Sequence, residues 1–188
     1  ELTAYHEAGH AVCAVALDNA DPLHKVTILP MGMALGVTQQ LPQEDRHSYN
    51  QAYLEDSIVV AMGGRVAEQL VFDVMSTGAG NDLEVSTNRA RRMVTEWGMS
   101  PRIGPQAWGS HGQVFLGEEL MSKHDSYSGA TANVIDLEIE RILREAEERC
   151  RQLLTENRAG LNMVARSLLE HETIDGATVE RLVAMGRE

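Results

Sequence analysis

The chain has 188 residues, enough for one ordinary domain, and its 43% hydrophobic content is typical of a globular protein rather than a disordered one. Acidic residues outnumber basic ones by 28 to 16, so the net charge of -12 disfavours nucleic acid as a partner. Two cysteines are too few for a disulfide framework. No apolar run approaches the ~20 residues that cross a bilayer, so we expect no membrane contact by this chain itself.

The first predicted element is a buried helix over residues 2–17 that carries a metal-binding motif. Nearly all of its side chains are apolar or small, and the exceptions are His6, Glu7 and His10. Residues four apart lie on one face of a helix, so the two imidazoles can hold one zinc ion. Glu7, about 100° around the helix from His6, can reach a water beside the metal without being a ligand. This His-Glu-x-x-His motif therefore predicts a zinc site with Glu7 as the general base.

Two short strands and a long helix are predicted next. Residues 25–29 and 35–41 contain β-branched side chains and are joined by Pro-Met-Gly, which predicts a hairpin or two short strands. Residues 49–72 carry apolar side chains every four positions, which predicts a helix. Gly63 and Gly64 lie in its middle at a cost of about 1 kcal/mol each against alanine. We therefore expect another backbone to approach the helix closely at these glycines.

A third helix is predicted after the glycine-rich loop at 76–80. Asn81 is expected to be its N-cap, with Glu84 as the capping-box partner, and Gly98 is expected to end it. The side chains expected to be buried along it are Leu83, Ala90, Met93 or Val94, and Trp97.

The rest of the chain is predicted to be a long loop followed by helices. Residues 100–128 are expected to be mainly loop, with one strand at 113–116. Ser128 then caps a long helix with a buried stripe at helical spacing: Ile135, Ile139, Ile142, Ala146, Cys150 and Leu153. A helix over 161–169 and a last one capped by Asp175 complete the chain. The fold is thus predicted to be mainly α, a helical bundle-like domain over 1–188 with a small β-hairpin or short sheet.

A catalytic zinc needs a third protein ligand and an open coordination position. Spacing alone leaves several acidic candidates: Glu44, Glu55, Asp56, Glu68 and Asp82. Asp82 is favoured because a glycine-rich turn delivers it at a helix start. Glu68 is its strongest rival, because Gly63 and Gly64 allow that helix to come close to the histidines.

Several motifs occur in one order along the chain and resemble those of a single protease family. They are His6–His10, Leu35–Thr38 with Leu41-Pro42, Gly63–Arg65, Ala67-Glu68, Thr77–Leu83, Arg91–Val94, Trp97–Ser100 and Val114–Gly117. Together they resemble the peptidase domain of the FtsH family (peptidase family M41), which are ATP-dependent, membrane-anchored zinc proteases. The resemblance runs from Thr3 to about Arg181.

The resemblance implies a set of roles for individual residues. The zinc ligands would be His6, His10 and Asp82, with one Zn2+ per chain and Glu7 as the catalytic base. Glu68 would then support the site rather than bind the metal. Substrates would be unfolded or misassembled proteins and peptides.

The resemblance also implies a longer protein, which agrees with a chain that opens inside a predicted helix. The chain would be the C-terminal part of a membrane-anchored protein whose ATPase domain binds ATP and Mg2+. That protein would form a homo-oligomer, a hexameric ring, at the cytoplasmic face of the bacterial inner membrane or in an equivalent organelle membrane.

Three further hypotheses concern substrate binding, the absence of catalysis and the need for ATP. Leu35, Gly36, Val37 and Thr38 can form an exposed strand edge that pairs with a substrate peptide, although an internally paired hairpin fits the pattern equally well. The alternative to a protease is a hexamer-forming scaffold with structural or no zinc, and the intact Glu7 argues against it. A free-standing peptidase that needs no ATP is also compatible with the sequence.

Overall fold

The computed structural model describes residues 1–30, 32, 35–41, 48–108 and 127–187. Within these residues there are six α-helices and one three-stranded antiparallel sheet, which confirms the predicted mainly α fold with a short sheet. The strand predicted at 113–116 and the candidate ligand Glu44 lie outside the described residues. None of the described helices combines the length and the apolar character needed to cross a membrane.

The elements in chain order are α1 (Leu2–Ala16), β1 (Leu23–Thr27), β2 (Val37–Gln40), α2 (Gln51–Phe72), a 3-10 turn (Thr77–Ala79), α3 (Gly80–Thr95), α4 (Gly129–Glu156), α5 (Arg158–His171), β3 (Thr173–Asp175) and α6 (Gly176–Met185).

Helix α1 lies at the centre of the molecule and packs against α2, α5 and the sheet. Its closest neighbour is α2, and the two backbones touch where Gly9 faces Gly63. A Cβ on Gly63 would lie 2.6 Å from the carbonyl oxygen of Gly9, and a Cβ on Gly9 would overlap the carbonyl of Gly63. The close approach expected at Gly63 and Gly64 is therefore present, and it brings α2 directly under the histidine motif.

The sheet has the strand order β2-β1-β3, with β1 in the middle. Strands β1 and β2 pair antiparallel with Val26 opposite Thr38, as a predicted hairpin requires, so β2 is an edge strand of the described sheet. Strand β3 was not predicted from the sequence. It has only three residues, of which Ile174 is buried, and so short a segment shows no periodicity.

The predicted start of α3 was wrong. Asn81 lies inside the helix, because the 3-10 turn before it moves the helix start to Gly80. Ser76 is the side-chain cap, and it accepts a hydrogen bond from the Gly78 N–H. The buried face was also partly wrong: Leu83 and Trp97 are 37% and 39% exposed, whereas Ala90, Met93 and Val94 are buried as expected.

The C-terminal helices follow the sequence pattern closely. Ser128 caps α4 and Asp175 caps α6, each by accepting a hydrogen bond from a backbone N–H three residues on. The predicted stripe of α4 is buried except at its end, where Leu154 is fully buried and Leu153 only partly. The α4 helix and the helices around it thus form the outer support for the α1–α2 pair.

Candidate metal centre

Three side chains from two helices converge at one point of the molecule. The second and third turns of α1 present His6 and His10, whose Nε2 atoms are 3.1 Å apart. The first turn of α3 presents Asp82, whose Oδ2 lies 3.4 Å from His6 Nε2 and 3.5 Å from His10 Nε2. Among the residues that the structure describes, this is the only group of three or more His, Cys, Asp or Glu side chains that lie close enough to share an ion.

The spacing of these atoms fits zinc. A tetrahedral ion with bonds of about 2.0–2.2 Å places its ligand atoms about 3.3–3.6 Å apart. The separations of 3.1, 3.4 and 3.5 Å match that range or fall just below it. Two imidazole nitrogens and one carboxylate oxygen are also donors that zinc takes in proteins. With one face of the trio open to a cleft, the set has the composition of a catalytic rather than a closed structural site.

The other ring nitrogen of each histidine is held by a hydrogen-bond acceptor. The Nδ1 of His6 lies 2.8 Å from Glu68 Oε1, and the Nδ1 of His10 lies 2.7 Å from the carbonyl oxygen of Val60. Both contacts favour a proton on Nδ1 and leave the Nε2 lone pair directed at the shared point. Without a metal ion or a proton between them, three lone-pair atoms would face one another there.

Glu68 links the histidine helix to the loop that carries Asp82. It is 2% exposed, and its second oxygen accepts a hydrogen bond of 3.2 Å from the Ser76 N–H, just before the turn that starts α3. It contacts the far nitrogen of the His6 ring, so it lies outside the three-atom cluster. The geometry therefore gives Glu68 the position of a supporting acceptor for His6.

The remaining candidate ligands on α2 lie elsewhere. Glu55 accepts a hydrogen bond from Gln51 on the protein surface. Asp56 is buried and forms an ion pair of 2.7 Å with Arg149. Neither joins the histidines, so sequence spacing alone retained two candidates that the helix directs away from the site.

The charges of the cluster attract positive charge. Burial by itself would lower the pKa of His6, but hydrogen bonds to Asp82 and then Glu68 outweigh it and raise that pKa above the usual value. Burial would likewise raise the pKa of Asp82, yet hydrogen bonds to His10 and His6 hold it well below the usual value. In the absence of a metal, protonated imidazole is thus stabilised where a divalent cation fits.

Glu7 lies beside the cluster and contacts the edge strand β2. Its side chain is buried, and its Oε2 accepts a hydrogen bond of 2.7 Å from the Thr38 hydroxyl. That hydroxyl also lies 3.2 Å from the backbone carbonyl of Glu7. On the other side of the carboxylate, a Cβ on Gly36 would be 2.7 Å from Glu7 Oε1. The carboxylate is therefore enclosed by two residues of the segment that sequence analysis proposed as a substrate edge.

All of these groups line one cleft with a volume of about 880 Å3. Its walls include both histidines and their acidic neighbours, residues 35–38 and 40, and residues 76–78. Arg89 of α3 also lines it. A cleft of this size, bordered by an edge strand, has room for a segment of extended peptide.

Sequence reasoning missed three contacts in this site. The Val60 carbonyl that holds His10 is a backbone group, so the identity of residue 60 does not reveal this contact. The Thr38 bond to Glu7 and the Ser76 bond to Glu68 join residues 31 and 8 positions apart, which only the packed fold reveals. Gly64 was a signal in the sequence, because a glycine inside a helix lowers its stability and so indicates a close contact. In the structure, a Cβ at this position would meet both histidine rings.

Comparison with known proteins gives one consistent result. The family model for peptidase family M41 matches residues 1–182. The ATP-dependent zinc metalloprotease FtsH of Acidimicrobium ferrooxidans is 61% identical over 97% of this chain, which spans 28% of that relative. The proteins of the same name from Alkalihalophilus pseudofirmus and Bacillus subtilis are 49% and 48% identical over 100% and 98% of the chain. The chain therefore spans less than a third of the length of the curated relatives it matches.

Proposed function

This chain belongs to peptidase family M41, and from that membership we propose that it is a zinc-dependent endopeptidase domain that hydrolyses peptide bonds of unfolded or misassembled proteins. The observation that supports the proposal most directly is the convergence of His6, His10 and Asp82 at zinc-like distances, next to a buried glutamate. Each of the relatives described above is named as a zinc metalloprotease.

In this proposal His6, His10 and Asp82 would hold one zinc ion at the wall of the cleft. When bound, zinc would lower the pKa of a water toward about 7 and polarise the peptide carbonyl. Glu68 and the Val60 carbonyl keep the two imidazoles in the tautomer that binds metal through Nε2.

Glu7 is the general base and then the general acid. It takes a proton from the attacking water as a carbon–oxygen bond forms at the substrate carbonyl. It then gives that proton to the amide nitrogen as the carbon–nitrogen bond breaks, so the leaving amine departs neutral. This role is supported by the position of Glu7, which is buried and lines the same cleft as His6, His10 and Asp82.

The substrate is proposed to run along the edge strand β2. Leu35, Gly36, Val37 and Thr38 line the cleft, and within the described residues β2 pairs only with β1, on one of its two sides. A peptide that adds a strand there would be held mainly through its main chain, with little sequence preference. Peptides methylated at main-chain nitrogens near the scissile bond should then be poorer substrates, because each methyl group removes a donor.

The full-length protein is proposed to couple this peptidase to ATP-driven unfolding. The relatives are named as ATP-dependent, whereas this chain contains no Gly-x-x-x-x-Gly-Lys-Ser/Thr sequence for binding nucleotide. ATP and Mg2+ would therefore be bound by parts of the protein outside this chain. A hexameric ring at the cytoplasmic face of the bacterial inner membrane is proposed from the family resemblance alone.

The proposal is tested with the full-length protein loaded with zinc. Glu7→Gln should keep its zinc and fold but lose hydrolysis of an unfolded protein by about 10²-fold or more, because the base is gone. Asp82→Ala should lose most of its zinc, whereas Glu68→Ala should retain measurable zinc with weakened affinity. Zinc retained by Asp82→Ala and lost by Glu68→Ala would reverse the ligand assignment. A wild type that assembles but never cleaves would favour the scaffold hypothesis.

A further inference from the structure

We propose that Thr38 is a positioning residue for Glu7, so that the strand bordering the cleft also fixes the orientation of the base. This inference rests on the proposed function. It adds a residue with no metal-binding or base role of its own, and it depends on the contact between the Thr38 hydroxyl and the Glu7 carboxylate.

The geometry around the carboxylate carries the inference. A glutamate side chain has three rotatable bonds, and nothing on α1 itself restrains the carboxylate of Glu7 among the described contacts. Thr38 supplies the restraint through its bond of 2.7 Å to Oε2, while Gly36 leaves just enough room for Oε1. Thr38 is held in turn because it is β-branched and is paired across the sheet with the buried Val26.

The consequence for the reaction is a division of roles between the two oxygens. A hydroxyl that donates to Oε2 occupies that oxygen and leaves Oε1 to accept the proton of the attacking water. A displacement of about 1 Å at a reacting group can cost about 10²-fold in rate. Loss of the Thr38 hydroxyl should therefore slow the chemical step without weakening metal or substrate binding.

The experiment compares Thr38→Val, Thr38→Ala and Thr38→Ser in the full-length, zinc-loaded protein with a quenched peptide substrate. Val and Ala should each lower kcat by about 10–100-fold with KM within about two-fold and zinc content unchanged. Ser keeps the hydroxyl and should retain kcat within a few-fold of wild type. Wild-type kcat in the Val and Ala variants, a Ser variant as slow as Val, or loss of zinc would overturn the inference.

Glu7→Gln in the same assay separates this inference from the proposed function. If Glu7→Gln remains active, the proposed role of Glu7 fails. If Glu7→Gln is inactive and Thr38→Val is fully active, only the role of Thr38 fails. In the Glu7→Gln background, Thr38→Val should cause no further loss, because there is no longer a base to orient.

The charges of the cleft carry a second, independent inference. The described side chains that line it include the acids Glu7, Glu68 and Asp82, and Arg89 is the only lysine or arginine among them. Arg89 is half-buried, and within the described part of the chain it makes no hydrogen bond or ion pair. Its charge acts on Tyr53, which lines the same cleft. A partly desolvated guanidinium that makes no hydrogen bond or ion pair with the described residues is suited to a carboxylate, with which it forms paired hydrogen bonds.

We infer that Arg89 binds a carboxylate of the substrate. The distance of Arg89 from the proposed zinc ligand Asp82 relates the position of that carboxylate to the scissile bond. Arg89 follows Asp82 by seven residues, which puts both on one face of α3 about 10.5 Å apart along its axis. For a peptide that runs parallel to α3 with a rise of about 3.3 Å per residue, the carboxylate lies about three residues from the scissile bond. This inference also rests on the proposed function. Either an acidic side chain or a peptide C-terminus can supply the group.

The test uses quenched peptides with Glu, Gln or Lys at the third position on either side of the scissile bond. An amidated series and a series ending there with a free C-terminus distinguish the two sources of the carboxylate. Wild type should prefer Glu to Lys by about ten-fold in kcat/KM, and Arg89→Glu should invert that ratio. Arg91→Glu makes the same change in net charge at an exposed site on α3 and should leave the ratio as in wild type.

The outcomes are distinct. A Glu-to-Lys ratio that is the same in wild type and Arg89→Glu, or that Arg91→Glu shifts equally, would overturn the inference. Hydrolysis of the Gln peptide by wild type shows that the proposed peptidase activity is intact in that case. No hydrolysis of any peptide in either series would instead count against the proposed function.

Discussion

Gly64 lies directly against the Nε2 atoms of the two histidines that meet at the proposed metal. A Cβ at this position would be 2.5 Å from His6 Nε2 and 2.6 Å from His10 Nε2, closer than van der Waals contact allows. Even a methyl group must therefore push the rings or separate α1 from α2. Gly64 therefore shapes the site because it has no side chain, although it takes no part in the chemistry.

We predict that Gly64→Ala lowers zinc affinity by about 10–100-fold, because displaced rings can no longer share an ion at the spacing seen here. The measurement is a competition titration with a chromophoric chelator. Gly80→Ala is the matched control, since Gly80 begins α3 near the same site and a Cβ there would meet nothing within 4 Å. Equal zinc affinities in the two variants would contradict the steric argument.

The two cysteines, unlike the histidines that line the cleft, are reactive groups enclosed in the core. Cys13 of α1 and Cys150 of α4 are fully buried with their sulfurs 3.6 Å apart, and both are free thiols. Hydrogen bonding with Cys150, followed by burial, raises the pKa of the Cys13 thiol well above its usual value. A thiol of raised pKa is a weak nucleophile, since the thiolate is the reactive form.

We therefore predict that neither cysteine reacts with a water-soluble disulfide reagent at pH 8 while the protein is folded. Both should react at once in guanidinium chloride, which a spectrophotometric thiol count measures directly. Rapid modification of the folded protein would mean that the α1–α4 contact opens in solution.

At the scale of elements, predictions from the sequence were most accurate where a local sequence pattern is compatible with only one structure. The apolar helix α1, the apolar stripe of α4, and the caps at Ser128 and Asp175 all depend on local spacing and short-range hydrogen bonds. The paired glycines of α2 indicated a close contact, although not that Gly9 would be the partner. These are features that a segment largely determines by itself.

The errors fall where a neighbouring element decides the outcome. Asn81 has the side chain of an N-cap, but the 3-10 turn held by Ser76 and Glu68 already starts the helix two residues earlier, with Ala79 at the N-cap position. Leu83 fits the apolar pattern of α3, yet it faces outward because Asp82 is directed at the histidines. Strand β3 exists because β1 offers a free edge, which no property of three residues could reveal. Likewise, proximity of Asp82 to the motif required the packed helices.

Helix α4 is anchored to the segment after α3 by a buried carboxylate. Glu138 is 1% exposed, accepts a hydrogen bond of 2.6 Å from Ser100 and pairs with Arg141 at 3.0 Å. The hydrogen bond from Arg141, then that from Ser100, lowers the pKa of Glu138 although burial opposes them. Because the folded pKa lies below the unfolded value, this contribution to stability is present above the unfolded pKa and is lost as pH falls through the folded one.

We predict that Glu138→Gln lowers the free energy of unfolding by about 1–3 kcal/mol at neutral pH, the range for a buried hydrogen-bonded group that loses its charge. The difference from wild type should shrink in acid, once the wild-type carboxyl is itself protonated. Denaturant titrations at several pH values measure both. Glu140→Gln is the control on the same helix; its pair with Arg144 is solvent-exposed, so little change is expected. A Glu138→Gln deficit that is constant with pH would contradict the ionic explanation.

For the whole molecule, the site is a junction of four elements of the fold. Helix α1 supplies two candidate ligands, α3 supplies the third, α2 supplies the acceptors behind His6 and His10, and β2 encloses Glu7. A metal at this point would therefore link α1 to α3, which are separated by more than 60 residues of sequence. The acidic, partly buried cluster has a cost in the empty state, and a cation would remove it.

We accordingly predict that removing zinc with a chelator lowers the thermal stability of the protein, and that adding zinc restores it. A ligand bound only to the folded state stabilises it by about 2.7 kcal/mol at one hundred times its Kd. Calorimetry of wild type should show a transition that moves upward with free zinc, whereas Asp82→Ala should show almost no dependence. Glu7→Gln should respond as wild type does, because its side chain is not among the ligands. A transition temperature of wild type that is indifferent to zinc would mean that the three side chains do not close on the ion, since closure on a folded-state site cannot occur without stabilising it.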